Sequence, residues 1–172
     1  MPTHPRVFIS YAHEPGIPGH RRKALQLAQA LRINGIDAVI DQYVEHDPPP
    51  HWPSWMIQQI EESDFVLCIA SACYRERVDG RGVPTVGRGA RWEGLFITEE
   101  LYTGAGNPET KFVAVVFDGD EPHIPRVLRP LGSTYYYWPS DDEDLFRRLT
   151  RQPRVLPAPL GSLIRFDPPE AG

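Results

Sequence analysis

Apolar residues fall along this chain in short solid runs, separated by stretches in which they recur every three or four positions. Val7-Phe8-Ile9 is the first run, and it stops at Ser10-Tyr11 and the Gly- and Pro-bearing loop HEPGIPGH. Short runs of β-branched and aromatic residues that end at turn signals predict buried strands. From about Arg21 to Asn34 the spacing becomes helical, with Ala24, Leu27, Ala28 and Leu31 on one face and Gly35 placed to cap the C-terminus. DAVID, from Asp37 to Asp41, predicts a second strand, and a proline-rich loop follows from about Gln42 to Pro53. Ser54 is the expected N-cap of a short helix carrying Trp55, Met56, Ile57 and Ile60. DFVLCIAS predicts a third strand. A long segment from Ala72 to Ala90, bearing Gly and Arg, then leads to a helix beginning near Arg91-Trp92. KFVAVVF predicts a fourth strand and TYYYW a shorter fifth. In SDDEDLFRRLTRQ, Ser140 is the expected N-cap, with acidic residues in the first turn and basic ones in the last, as the helix dipole favours.

Strands alternating with helices imply parallel strands joined by right-handed crossovers. Solid apolar strands, as opposed to alternating ones, imply a sheet covered on both faces. The expected fold is therefore α/β: a flavodoxin-like, doubly wound, mainly parallel five-stranded sheet with helices on both faces. Its ligand crevice belongs at the carboxyl ends of the strands, beside the switch point. That places the loops after Ser10, Asp41 and Ser71 around one cleft. From Pro153 the pattern changes to PRVLPAPLGSLIRFDPPEAG, which reads as a linker or docking strand. The expected division is a domain over 1–152 and a proline-rich tail over 153–172.

Composition narrows the function classes. The 172 residues carry a net charge of -5, which argues against non-specific nucleic-acid binding. Two cysteines, Cys68 and Cys73, are too few for a disulfide scaffold. The N-terminus lacks the pattern of a signal peptide, and no apolar stretch approaches ~18 residues. A cytoplasmic protein that does not enter the membrane is expected. The histidines lack the paired spacing of a zinc site, so no metal is expected. No Walker loop, GxGxxG turn, GxSxG elbow or catalytic-cysteine signature is present.

Several segments together resemble a known family. RVFISYAHE resembles the opening strand and loop of TIR and SEFIR domains, and GIDAVIDQY their second strand. PPPHWPSWMIQQIEESDFVLCIAS is similar to the SEFIR pattern of paired tryptophans, helix and strand, and RWEGLFITEELY to the Trp-Glu-Gly segment of bacterial SEFIR-like proteins. The ordered set spans roughly residues 6 to 150 and identifies a TIR-like domain of the SEFIR branch. The resemblance implies either of two jobs. One is NAD cleavage in bacterial immune or anti-phage signalling, switched on by self-association, with NAD as substrate. The other is a non-catalytic adaptor that binds other TIR or SEFIR domains. A module that binds an NAD-derived messenger is a third reading, and a missing effector or sensor domain is a further expected partner.

For NAD cleavage the resemblance implies one glutamate near the start of the helix after the third strand. Glu93, Glu99 and Glu100 compete for that place. Glu93 falls in the first turn, where the dipole favours an ionised carboxylate; Glu99 and Glu100 lie about 9–10 Å farther along the axis. A carboxylate there stabilises the positive charge that develops on ribose as nicotinamide leaves. Glu93 is the expected catalytic residue. Ser10, Tyr11 and His13, after the first strand, are expected to contact ribose or phosphate. Asp41, Tyr43, Arg91 and Trp92 complete the expected NAD-binding set with Trp52, which is placed to stack on a base or anchor a partner; Trp55 reads as core. Arg75, Arg77, Arg81, Arg88 and Arg91 around DGRGVPTVGRG are a candidate pyrophosphate clamp, although a run of this kind is more often a solvated loop.

Overall fold

The structure, a computed structural model, describes residues 4–13, 17, 19–79, 111–129 and 134–169. The expected helix at Arg91-Trp92, the three competing glutamates and most of the arginine-bearing loop lie outside those residues.

The apolar runs form five strands: β1 (Arg6–Ser10), β2 (Asp37–Val39), β3 (Phe65–Ile69), β4 (Phe112–Phe117) and β5 (Tyr135–Trp138). They make one sheet in the order β2-β1-β3-β4-β5, and every neighbouring pair is parallel. Chain order reverses direction between β1 and β3, which is the switch point of a flavodoxin-like sheet. The doubly wound fold expected from the pattern is the fold observed. All residues of β3 and β4 are buried, as strands covered on both faces require.

Side chains alternate between two cores. Val7 and Ile9 join α1 (His20–Ile33) and α4 (Asp142–Thr150) on one face, where Leu27, Leu31, Leu145 and Leu149 pack. Phe8, Val66 and Cys68 face the other side, against α2 (Trp52–Glu62) and α3 (Ala72–Val78) through Met56, Ile60 and Tyr74. Burying each large aliphatic side chain contributes about 1.5–3 kcal/mol, so these two layers dominate the stability of the sheet.

The helix ends differ in part from their expected form. Gly35 does follow the end of α1, at φ 80°, and Ile36 N–H and Gly35 N–H donate back to the carbonyls of Leu31 and Arg32 at 3.0 and 3.1 Å. This is a Schellman closure, sealed by buried Ile36 and Leu31. Ser54, expected as the cap of α2, is inside that helix. His51 is the cap, and its ring Nδ1 accepts from Ser54 N–H at 3.2 Å. An imidazole nitrogen substitutes for the usual cap oxygen, and Pro53 sits in the first turn, where its missing N–H costs nothing. Ser140 does not cap α4 either. Asp141 holds that position, while Ser140 Oγ donates to Asp118 Oδ2 at 2.6 Å. The start of the segment expected as a loop from Ala72 is α3, capped by Ser71 Oγ, which accepts from Tyr74 N–H at 3.1 Å.

At each edge of the sheet one residue has both of its outward backbone groups already partnered. On β2, Ala38 C=O accepts from Arg32 Nη1 at 3.0 Å and Ala38 N–H donates to Ile36 O at 2.9 Å. On β5, Tyr137 N–H donates to Asp141 Oδ2 at 2.8 Å, and Tyr137 C=O accepts from Asp141 N–H. An edge supplied with its own partners offers little to another strand.

Gly35→Ala tests the helix closure. A Cβ at positive φ is strained, so the variant is expected to be less stable by about 1–2 kcal/mol, read from the urea unfolding midpoint at unchanged slope.

Candidate functional site

The carboxyl ends of β1, β2 and β3 bring together the three loops expected around one cleft. Tyr11, directly after β1, is buried, and its hydroxyl donates to Asp41 Oδ1 at 3.0 Å. Asp41 Oδ2 lies 2.6 Å from His13 Nε2, so a single carboxylate ties down both residues of the first loop. The Tyr11 and His13 rings also stack, with centroids 5.0 Å apart. Gln42 Nε2 bridges the Tyr11 hydroxyl (2.9 Å) and Arg21 C=O (3.0 Å), and Arg21 pairs with Glu45. The loop after β2 opens as a 3-10 turn, Asp41–Tyr43, which aims Asp41 inward at the neighbouring loop.

The switch point itself is crossed by two further bonds. Ser10 Oγ and the Tyr74 hydroxyl meet at 2.9 Å, both buried. Arg77 Nη2 donates to His13 C=O at 3.2 Å. Tyr74 and Arg77 sit on α3, so the helix after β3 clasps the loop after β1.

Electrostatics follow from this packing. Burial, then the charge and hydrogen bond of Asp41, push the Tyr11 phenol well above the ordinary tyrosine range. Tyr11 is therefore a neutral donor at physiological pH. Burial also raises the Tyr43 phenol, against the opposing charge of Arg32, and its ring packs on the core beneath.

The expected site residues thus divide by position. Ser10, Tyr11, His13 and Asp41 converge on one edge, with Tyr43 half-buried beside them. Trp52 opens α2 and makes an edge contact with Trp55 at 5.6 Å, and Trp55 in turn meets Phe8 at 5.9 Å. That chain of rings runs into the core beneath β1. Arg91, Trp92 and Glu93 lie outside the described residues. Tyr74 and Gln42 were not singled out as site residues, although Ser71 ahead of a run free of Gly and Pro carried the signal for α3; Arg77, a candidate for the pyrophosphate clamp, donates to His13 C=O.

Two hollows among the described residues lie elsewhere. One of about 610 Å³ lies between β5 and α4, beside Tyr135, Tyr136, Arg148 and Arg151. Another of about 380 Å³ lies at the opposite, amino edge, beside His4, Asn34 and Asp64. Neither touches Tyr11 or Asp41. Topology, which sets where side chains from different loops converge, is a better guide to the site here than volume. Among the described residues, no group of three His, Cys, Asp or Glu side chains stands together to hold a metal, and no helix is long and apolar enough to cross a membrane.

A model of the SEFIR domain family matches residues 5–149. The chain belongs to that family of TIR-like signalling and interaction domains. It is similar to a solved structure described as a prokaryotic SEFIR domain, with TM-score 0.62 and 24% identity, covering 92% of this chain and 99% of that one. It is also similar to the SEFIR domain of interleukin-17 receptor B, with TM-score 0.56 and 12% identity, covering 87% and 96%. At these identities the likeness is one of fold. No curated protein sequence matches the chain.

Tyr11→Phe tests the net. It removes the phenol from Asp41 and is expected to lower stability at pH 7 by about 1–2 kcal/mol. A folded-state pKa raised above the unfolded value gives stability that is present below pH ~10 and lost as pH rises beyond it. The gap between the wild type and Tyr11→Phe is therefore expected to narrow above pH ~10 in a pH series of urea titrations.

Proposed function

We propose that this SEFIR domain signals by ordered self-association and by joining other SEFIR or TIR domains. The observation that carries this reading is the occupied switch point. Ser10, Tyr11 and Asp41, polar groups at the edge where this fold takes ligands, spend hydrogen bonds on α3, on Gln42 and on each other. Such a net holds three loops in fixed relation, as a surface that docks with little rearrangement requires. The buried, neutral Tyr11 is a fastener in this reading, and Arg77 on His13 C=O adds α3 to the same rigid unit.

NAD cleavage is a second reading, favoured by one observation. The His13 side chain is 54% exposed, and Asp41 fixes its ring at the edge where this fold takes ligands. In this reading Glu93 is the catalytic residue, and Arg91 and Trp92 lie beside it in sequence. Trp52 and Tyr43 contribute from the loop after β2. The Glu93 carboxylate stabilises the ribose cation as nicotinamide leaves with the bonding electrons, and water adds to give ADP-ribose. Association of protomers completes the site, and NAD depletion is the output of an immune or anti-phage signal.

NAD loss and nicotinamide release separate the two readings, measured at high protein concentration with and without crowding. The adaptor reading expects association with no turnover. The enzymatic reading expects turnover that falls at least about a hundredfold in Glu93→Ala and is unchanged in Glu100→Ala. Turnover indifferent to Glu93→Ala removes that residue from the mechanism.

A further inference from the structure

The last described stretch of the chain breaks a rule that the rest of the molecule keeps. Val155, Leu156, Leu160, Leu163, Ile164 and Phe166 are each between 75% and 100% exposed. Outside this tail, the only large apolar side chains exposed among the described residues are Ile17, Ile33 and Tyr135. From Val155 to Phe166 the tail carries one charge, Arg165. Chain that stays solvated as a linker is usually polar or charged, because exposed apolar surface is costly in water. Contiguous apolar surface of this extent marks an interaction site.

The tail leaves the domain from a fixed point. Arg154 Nη1 pairs with Glu143 at 2.9 Å and Nη2 with Asp144 at 2.9 Å, both on α4, and Arg147 Nη1 donates to Gln152 C=O at 3.3 Å. The apolar residues begin at the next position. An anchored start lowers the entropy lost when the segment binds something.

Two candidate occupants fit the described surface poorly. Strand addition to a sheet edge is disfavoured, because Arg32 already serves Ala38 on β2 and Asp141 serves Tyr137 on β5. Burial against a domain face, in the same or another copy, finds no extended apolar counterpart among the described residues, since Ile17, Ile33 and Tyr135 lie on separate elements. Among the described residues, the extended apolar surface that a second copy presents is its own tail. Six such side chains expose on the order of 800 Å² together, about one partner's share of a standard interface.

We infer that the tail is a self-association element: residues 155–166 of two copies pack against each other about a two-fold axis. Two-fold symmetry makes one patch its own complement, and Arg154 on α4 sets where each tail leaves its domain. The inference rests on the self-association reading above and names a surface for it.

Sedimentation equilibrium tests it on three samples: the full chain, the chain ended after Gln152, and Leu163→Asp combined with Phe166→Asp. Far-UV circular dichroism first confirms that each is folded. The full chain is expected to dimerise at concentrations on the order of 10 µM, the shortened chain to stay monomeric, and the double variant to weaken dimerisation at least about tenfold. Shortened chain mixed with labelled full chain is expected to stay out of the dimer. Its entry would show that the tail grips a domain surface and would overturn tail pairing. Equal dimerisation of the shortened chain would overturn the tail's role while leaving self-association standing. A full chain that stays monomeric at several hundred micromolar, about tenfold or more above the expected range, would overturn the pairing outright. Co-assembly with other SEFIR or TIR domains would then be measured separately to judge the wider reading.

Discussion

A parallel sheet exposes neither face to water, and most of this structure follows from that constraint. Parallel neighbours need crossovers, crossovers bring helices, and the helices must cover both sides. β3 and β4 meet the demand with buried residues throughout, while β1 alternates Val7 and Ile9 to one core with Phe8 to the other. Once β1 and β3 lie side by side, their following segments must leave on the same edge. Ser10 and Tyr74 therefore meet without being close in sequence. The site is a by-product of how the sheet is wound, and its hydrogen bonds stabilise a convergence that topology has already imposed.

Asp41 shows how much one side chain can do at such a point. Its two oxygens face two residues of the neighbouring loop: Tyr11, which is buried, and His13, which is half in solvent. The carboxylate is only partly exposed, and it is held by a neutral phenol and an imidazole. The phenol bond is strengthened by burial, because a buried donor has no water to compete for it. Losing Asp41 would leave a buried hydroxyl with only Gln42, which is why the pair belongs to the fold as much as to any ligand.

The architecture was legible in the sequence because it depends on periodicity summed over many residues. Five apolar runs, a 14-residue amphipathic α1 and Gly35 after its end all survive small errors in placement. Caps were less legible, because a single donor–acceptor choice decides each. Ser54 and Ser140 are good caps by type, yet His51 and Asp141 took those places, since Trp52-Pro53 already fits a helical first turn and Ser140 is drawn to Asp118. α3 was obscured for a similar reason. Its seven residues hold little hydrophobic pattern of their own and depend on Ser71 and the burial of Tyr74. Of the site, Tyr11, His13 and Asp41 could be named from their loops, but the bonds that join them could not. Those bonds depend on the angle at which the turn after β2 aims Asp41, which sequence spacing does not encode.

The two edges of the sheet bear on how such a domain can assemble without aggregating. An open β2 or β5 would invite any extended chain, since ladder hydrogen bonds are blind to sequence. Arg32 holds the carbonyl of Ala38 while Ile36 C=O accepts its N–H, and Asp141 meets both backbone groups of Tyr137 through its carboxylate and its own N–H, at positions where the strand is only three or four residues long. Blocking one residue on so short a strand removes a large share of the available ladder. Assembly must then proceed through side chains, which discriminate by shape and charge, and specificity follows from that restriction. The loops after β1 and β2 and the apolar tail that starts beyond Arg154, which is held on the first turn of α4, belong to separate segments of the chain. A domain with two separate contact surfaces can both pair with itself and recruit another, which is what ordered signalling by assembly requires.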